Sequence, residues 1–203
     1  TLSLDDLSIE RLFEEFKKWL LKPGKPSLGL KAFIDIKLDE YFPEVNTTGE
    51  LLDAMVGCRD GLTDEESSEL AFAALLSGNA FPGNGCEGVK ALANKFLARI
   101  TNEIHLVRKV PEILKDYENV PAAPVLRRLA VRLDGLKHLA LLVKSTPRSQ
   151  FKSATFAEDL WDAADSLGVL DAAPQPFLTG KMLLDLGVKP GKQMGEIIKK
   201  SFE

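Results

Sequence analysis

The 203 residues are 45% hydrophobic and 28% charged, a balance that fits one globular domain or two small ones and excludes a disordered chain. No apolar run reaches the ~18 residues of a membrane span and no charged-then-apolar leader opens the chain, so a cytoplasmic protein is expected. Net charge is −4, but residues 1–66 hold 8 Lys/Arg against 15 Asp/Glu, residues 86–152 hold 13 against 6, and residues 153–203 hold 5 against 8. A basic middle third between acidic flanks can attract a polyanion despite the acidic total.

In chain order, a first helix is predicted from Ser8, its cap, to Lys22, with Leu12, Phe16, Trp19 and Leu20 inward. Pro23-Gly24-Lys25-Pro26 ends it, and Ser27 caps a second helix from Leu28 to about Leu38, followed by Tyr41-Phe-Pro-Glu44. A third helix runs from Thr48 to Gly57. Thr63-Asp-Glu-Glu66 has the spacing of a capping box and opens a fourth helix through Leu70, Ala73, Ala74 and Leu76. The turn-rich stretch Gly78 to Gly85 is a loop. A fifth helix covers Glu87 to Ile100 with Val89, Leu92, Ala93, Phe96 and Ile100 inward, and a sixth starts near Thr101 or Asn102 with Ile104, Val107 and Ile113 inward, disturbed by Pro111. Val125 to Leu133 and Leu136 to Lys144 form the next two, and Thr155 to Leu167 a ninth with Phe156, Leu160, Trp161 and Ala164 inward. Strand-like alternation and internal repeats are absent, so the fold class is all-α. Cys58 and Cys86 lack metal-ligand spacing; two reduced thiols are expected, and a disulfide stays open. His105 and His138 have no carboxylate or second histidine at ligand spacing, and each reads as a surface or satisfied histidine.

The stretch from Leu178 to Ile198 reads as two short helices joined by a sharp turn. Thr179 is the predicted N-cap, Met182, Leu183 and Leu186 the apolar face, Gly187 a left-handed closing residue, and Lys189-Pro-Gly191 a turn. The second helix starts after Gly191, with Met194, Ile197 and Ile198 as its stripe. Free N–H groups at that start, flanked by Lys189 and Lys192, favour phosphate. Upstream, Arg128 and Arg132 lie four apart on one predicted helix with Arg127 beside them, and Lys137 follows the next turn; guanidinium forks match phosphate oxygens.

The run from Phe177 through Leu-Thr-Gly-Lys-Met-Leu-Leu-Asp-Leu-Gly-Val-Lys-Pro-Gly-Lys-Gln-Met-Gly-Glu-Ile resembles the C-terminal signature of bacterial tRNA nucleotidyltransferases (CCA-adding enzymes) and their poly(A) polymerase relatives. The first helices with their Tyr-Phe-Pro-Glu closure, and Arg127-Arg-Leu-Ala-Val-Arg132, match the same family less closely. The resemblance implies the helical C-terminal half of a class II nucleotidyltransferase, with 1–47 as the end of the neck and start of the body, 48–150 as the helical body and 151–203 as a helical tail. The chain opens at Thr1 without a methionine and stops at Phe202-Glu203 in a helical pattern, so a segment of a longer protein is expected.

In many relatives the body is an HD-type phosphohydrolase domain, where Ala-Ala-Leu-Leu-His-Asp supplies metal ligands. Here Ala73-Ala-Leu-Leu-Ser-Gly-Asn79 puts serine and glycine at the ligand positions, so a degenerate HD-like core without a metal site is expected. The Gly-Ser and Asp-x-Asp elements of nucleotidyl transfer are also absent; they and their Mg would belong to an N-terminal head outside this chain, and this chain alone is expected to be non-catalytic. The resemblance therefore implies a region that holds RNA, expected to be tRNA, through Arg127, Arg128, Arg132, Lys137, Thr179, Lys181, Lys189, Gly191 and Lys192, with no catalytic or metal-ligating residue assigned. The alternative is a catalytically inert HD-like module that binds protein.

Overall fold

Ser8 accepts a hydrogen bond from the Arg11 N–H and opens α1 (Ile9–Leu21), whose buried face is Phe13, Phe16 and Leu20. Leu12 and Trp19, expected inward, are only half-buried. The computed structural model describes residues 7–80, 85–116, 123–147, 155–175 and 177–201, and every regular element among them is helical. The all-α class follows directly.

Two compact units make up the chain. The first joins Thr1–Asn119 to His138–Ala157, and the second joins Val120–Lys137 to Glu158–Glu203.

In the first unit, α2 (Ser27–Asp35) is shorter than its sequence pattern predicts, and Ser27 does not cap it. Instead the Ser27 N–H and hydroxyl donate to the two carboxylate oxygens of Asp53, at 2.9 and 2.7 Å. The helix stops because Lys37 turns left-handed (φ 62°), and α3 (Leu38–Tyr41) restarts in a new direction. Thr48 caps α4 (Gly49–Val56), and Thr63 with Glu66 forms a complete capping box on α5 (Asp64–Leu76). From Ser68 to Leu76 that helix is buried on all sides, which marks it as the core of the unit. A 3₁₀ turn, Ser77–Ala80, ends it.

The two following helices are α6 (Gly85–Ile100) and α7 (Ile104–Asp116), and α7 packs on both α5 and α6. Here the sequence reading is corrected: Ile104 and Val107, expected inward, are exposed at 69% and 38%. The helix carries two candidate apolar faces, and contact with α5 and α6 selects the one formed by Leu106, Val110, Ile113 and Leu114. Pro111 does not interrupt it. Proline removes the hydrogen bond to residue i−4, here Val107, which lies on the exposed face of the helix.

In the second unit, α8 (Ala123–Leu133) buries Leu126, Leu129, Ala130 and Leu133. Asp134 and Gly135, both at positive φ, turn the chain, and the Leu136 and Lys137 N–H groups each donate to the Leu170 carbonyl at 2.9 Å. The next element is α9 (Lys137–Ser145), whose residues from His138 onward belong to the first unit. The second unit resumes at Glu158 within α10 (Phe156–Ser166), a helix in which Leu160 and Ala164 are buried and Phe156 and Trp161 half-buried, and ends with α11 (Gly180–Asp185) and α12 (Lys192–Lys200).

Candidate nucleic-acid interface

The hairpin of α11 and α12 forms through local signals. Thr179 Oγ1 accepts from the Met182 N–H at 3.3 Å. After Asp185 the chain reverses at Gly187, whose φ of 82° suits a residue without Cβ, and the Val188 N–H donates back to the Leu183 carbonyl at 2.9 Å. The Pro190-Gly191 turn needs no left-handed residue: Gly191 has φ 160°, which is extended backbone, so the positive φ of the motif resides at Gly187 alone. Gly191 is the N-cap of α12 and supplies no side chain, leaving the first-turn N–H groups without a side-chain cap. Lys181, Lys189, Gly191 and Lys192 are all exposed around this frame, as is Thr179.

The apolar face of α11 differs from its sequence pattern. Of Met182, Leu183 and Leu186, only Leu183 is buried; Met182 is 51% and Leu186 74% exposed, alongside Leu184 at 50% and Phe177 at 71%. A helix of six residues has one buried turn to offer, and Leu183 fills it.

On α8, Arg127 is half-buried while Arg128 and Arg132 project to the exposed side, where each already engages another group. Lys137 is not a free cation, since its Nζ lies 3.2 Å from Asp171 Oδ1. That pair is well exposed on the carboxylate side and is weak by the usual standard of surface ion pairs.

Elsewhere the charges serve the fold. Glu44, 1% exposed, receives Lys95 Nζ at 2.7 Å and Arg99 Nη1 at 3.3 Å. The Arg99 guanidinium also donates to the Tyr41 carbonyl at 3.0 Å and lies over the rings of Tyr41 and Phe42, at 4.9 and 4.7 Å. Burial alone would push the Glu44 carboxyl up, but the hydrogen bond and charge of Lys95 and the charge of Arg99 outweigh it and hold the group below its ordinary value. The sequence offered no hint of this cluster, because Glu44 and Arg99 are 55 positions apart.

His138 is likewise not a surface residue. It is 8% exposed, with Nε2 3.6 Å from Oε2 of Glu69, itself 5% exposed. Burial raises Glu69 to about 7, Lys109 opposes that shift, and Glu66 and Glu65 reinforce it. No group of three or more His, Cys, Asp or Glu among the described residues is placed to hold a metal.

At the end of α5, Ser77 and Gly78 stand at the positions that the resemblance gives to HD-type ligands. The Ser77 hydroxyl donates to the Ala74 carbonyl, and the Gly78 N–H donates to the Asn46 carbonyl at 2.7 Å. A Cβ on Gly78 would sit 2.5 Å from Asn46 Oδ1, so a carboxylate there would collide with the loop that follows Glu44. Asn79 then ties the same loop down by donating to the Glu44 carbonyl at 2.6 Å.

These features define a chain whose regular elements, among the described residues, are all helical, with a capped, lysine-bearing helical hairpin near the end of the sequence. Over 200 residues, 97% of this chain, it is 28% identical to a CCA-adding enzyme of Streptococcus suis; over 195 residues, 96% of the chain, it is 25% identical to a CCA-adding enzyme of Streptococcus pneumoniae. In both cases the chain spans about 45% of the relative's length. The chain is therefore similar to one region of these CCA-adding enzymes along nearly its whole length, in agreement with the C-terminal resemblance carried by residues 177–198. No family model and no solved structure matches it.

Proposed function

We propose that this chain is the RNA-holding helical region of a tRNA nucleotidyltransferase, positioning the acceptor and T-arm side of tRNA while a head outside this sequence, with its own Mg, adds nucleotides to the 3′ end in the cytoplasm. The single observation that carries the reading is the similarity to CCA-adding enzymes along 97% of the chain. Its candidate contacts are Arg127, Arg128 and Arg132 on α8 and Thr179, Lys181, Lys189, Gly191 and Lys192 on the hairpin. Lys137 takes part by exchanging Asp171 for phosphate. Recognition rests on backbone shape and charge, as is usual for double-stranded RNA.

Binding of tRNA across a salt series, beside a variant with Arg127, Arg128, Lys189 and Lys192 changed to Ala, tests it. The expected result is affinity that falls steeply with salt, because counterions are displaced, and that collapses in the variant. A chain that binds no tRNA at low salt would move RNA contact to the head.

A second reading, the inert helical module that binds protein, is favoured by one feature of the first unit. A groove of about 420 Å³ lined by Trp19, Leu28, Gly29, Phe33 and Ile36 opens along α2, and Leu28, Ile34 and Ile36 are 67%, 51% and 67% exposed. Absence of tRNA binding together with capture of a protein at this groove would put that reading first.

A further inference from the structure

The apolar groove beside α2 has a fixed floor. Trp19 Nε1–H donates to the Pro26 carbonyl at 2.9 Å, and the indole stacks on Phe33 with ring centroids 5.3 Å apart. The ring lies so close to α2 at Gly29 that a Cβ there would overlap it. Leu28 and Ile36 line the same groove and keep 67% of their surface in water. With Ala32, also exposed, they follow one another at i, i+4 and i+8, which is the spacing of a ridge that packs on another helix. The fold of the first unit does not call on this ridge, because α2 anchors itself through Phe33 on a different side.

The charges beside the ridge say what fits it. Lys31 and Asp35 are exposed and neither has an ion-pair partner among the described residues, whereas the neighbouring Lys37 is held by Glu40 at 3.4 Å. A cation followed by an anion four positions on is a self-complementary order. Two copies of α2 lying face to face and antiparallel, about a two-fold axis near Ala32, bring Leu28 of each against Ile36 of the other. The same operation brings Lys31 of each against Asp35 of the other. A parallel pair would instead set lysine against lysine and aspartate against aspartate, which is repulsive. We infer that α2 is a homodimer contact: a second copy of this chain lays its Leu28–Ala32–Ile36 ridge on the groove floored by Trp19 and Phe33, and two Lys31–Asp35 pairs fix the antiparallel register. One helix face per copy is at the small end of specific interfaces, so the dimer is weak. The inference goes beyond the RNA-holding reading and is independent of it, since none of the candidate RNA contacts lies on α2.

Sedimentation equilibrium of the 203-residue chain, from ~5 to ~500 μM, tests it, because a small interface populates its dimer in that range. The wild type is expected to show a reversible monomer–dimer equilibrium. Leu28→Ser with Ile36→Ser should weaken the dimer by at least roughly ten-fold, since both side chains leave the contact. The melting temperature of that variant should stay at the wild-type value, because both positions are exposed in the monomer. Lys31→Glu and Asp35→Lys should each weaken the dimer, although they change the net charge in opposite directions. Combining the two in one chain should restore wild-type dimerisation, since each new glutamate then meets a new lysine. A wild type that stays monomeric throughout the range overturns the inference and gives the groove to an unlike partner. A dimer indifferent to Leu28→Ser with Ile36→Ser overturns it too, because the contact then lies elsewhere. Failure of the combined charge exchange to restore what either single change removes would overturn the antiparallel pairing.

Discussion

Two stretches that resemble the same enzyme family meet opposite physical fates. Tyr41 to Glu44 is absorbed into the first unit: Phe42 and Glu44 are 2% and 1% exposed, and the nearby Arg99 is used by a carboxylate, a carbonyl and two rings at once. Residues 177–192 keep their lysines and most of their apolar side chains in water. A sequence match therefore does not say whether a motif builds the fold or meets a ligand. What separates the two is whether each charged or apolar group already has a partner.

The sharpest way to break the comparison is at Arg99. Changing it to Ala leaves the buried Glu44 carboxylate with one exposed lysine and uncovers Phe42, so urea unfolding should show a loss of about 3 kcal/mol. Because Glu44 is held below its ordinary value in the fold, its contribution is present above the unfolded carboxylate range and is lost as pH falls below about 4.5. The wild-type advantage over Arg99→Ala should shrink over that acidic window.

A smaller effect is expected at the closed core. Gly78→Asp places a side chain against Asn46, and overpacking of this kind costs about 2 kcal/mol, read as a lower melting temperature. A gain of metal-dependent stability in that variant, measured by melting with and without a divalent ion, would show instead that the loop after Glu44 moves aside.

Glu69 sets a third, pH-dependent effect. Its folded pKa of about 7 lies above its ordinary value, so its contribution is fully present below about 4.5 and is lost as pH rises through 7. Stability should decline between about pH 4.5 and 7 by up to about 1.4 kcal/mol per pH unit, and Glu69→Gln should flatten that decline.

How much of this was legible in advance follows from how far apart the interacting residues lie. The capping box at Thr63 and Glu66, the Thr179 cap and the Gly187 reversal were readable because each bond spans three to five positions. The pairs Ser27–Asp53, Glu44–Arg99 and Glu69–His138 span tens of positions and left no periodicity to find. Ile104 and Val107 misled because an apolar stripe shows that a helix has a face, not which of two faces its neighbours cover. The candidate site was legible as a place, with the exposed lysines where the turn chemistry put them. Its apolar half was not, since Met182 and Leu186 have helical spacing and would ordinarily point inward.

The smallest expected change in stability belongs to the hairpin. Lys189→Ala with Lys192→Ala should alter unfolding by less than about 0.5 kcal/mol, the usual range for exposed substitutions. The most direct test of the contrast is therefore to measure, on this one variant, both urea unfolding and the salt dependence of tRNA affinity. The account predicts unchanged unfolding with weaker binding and a salt slope reduced by roughly one to two. An unchanged slope, or a variant that unfolds, would show that these lysines do not meet RNA or are not free of the fold.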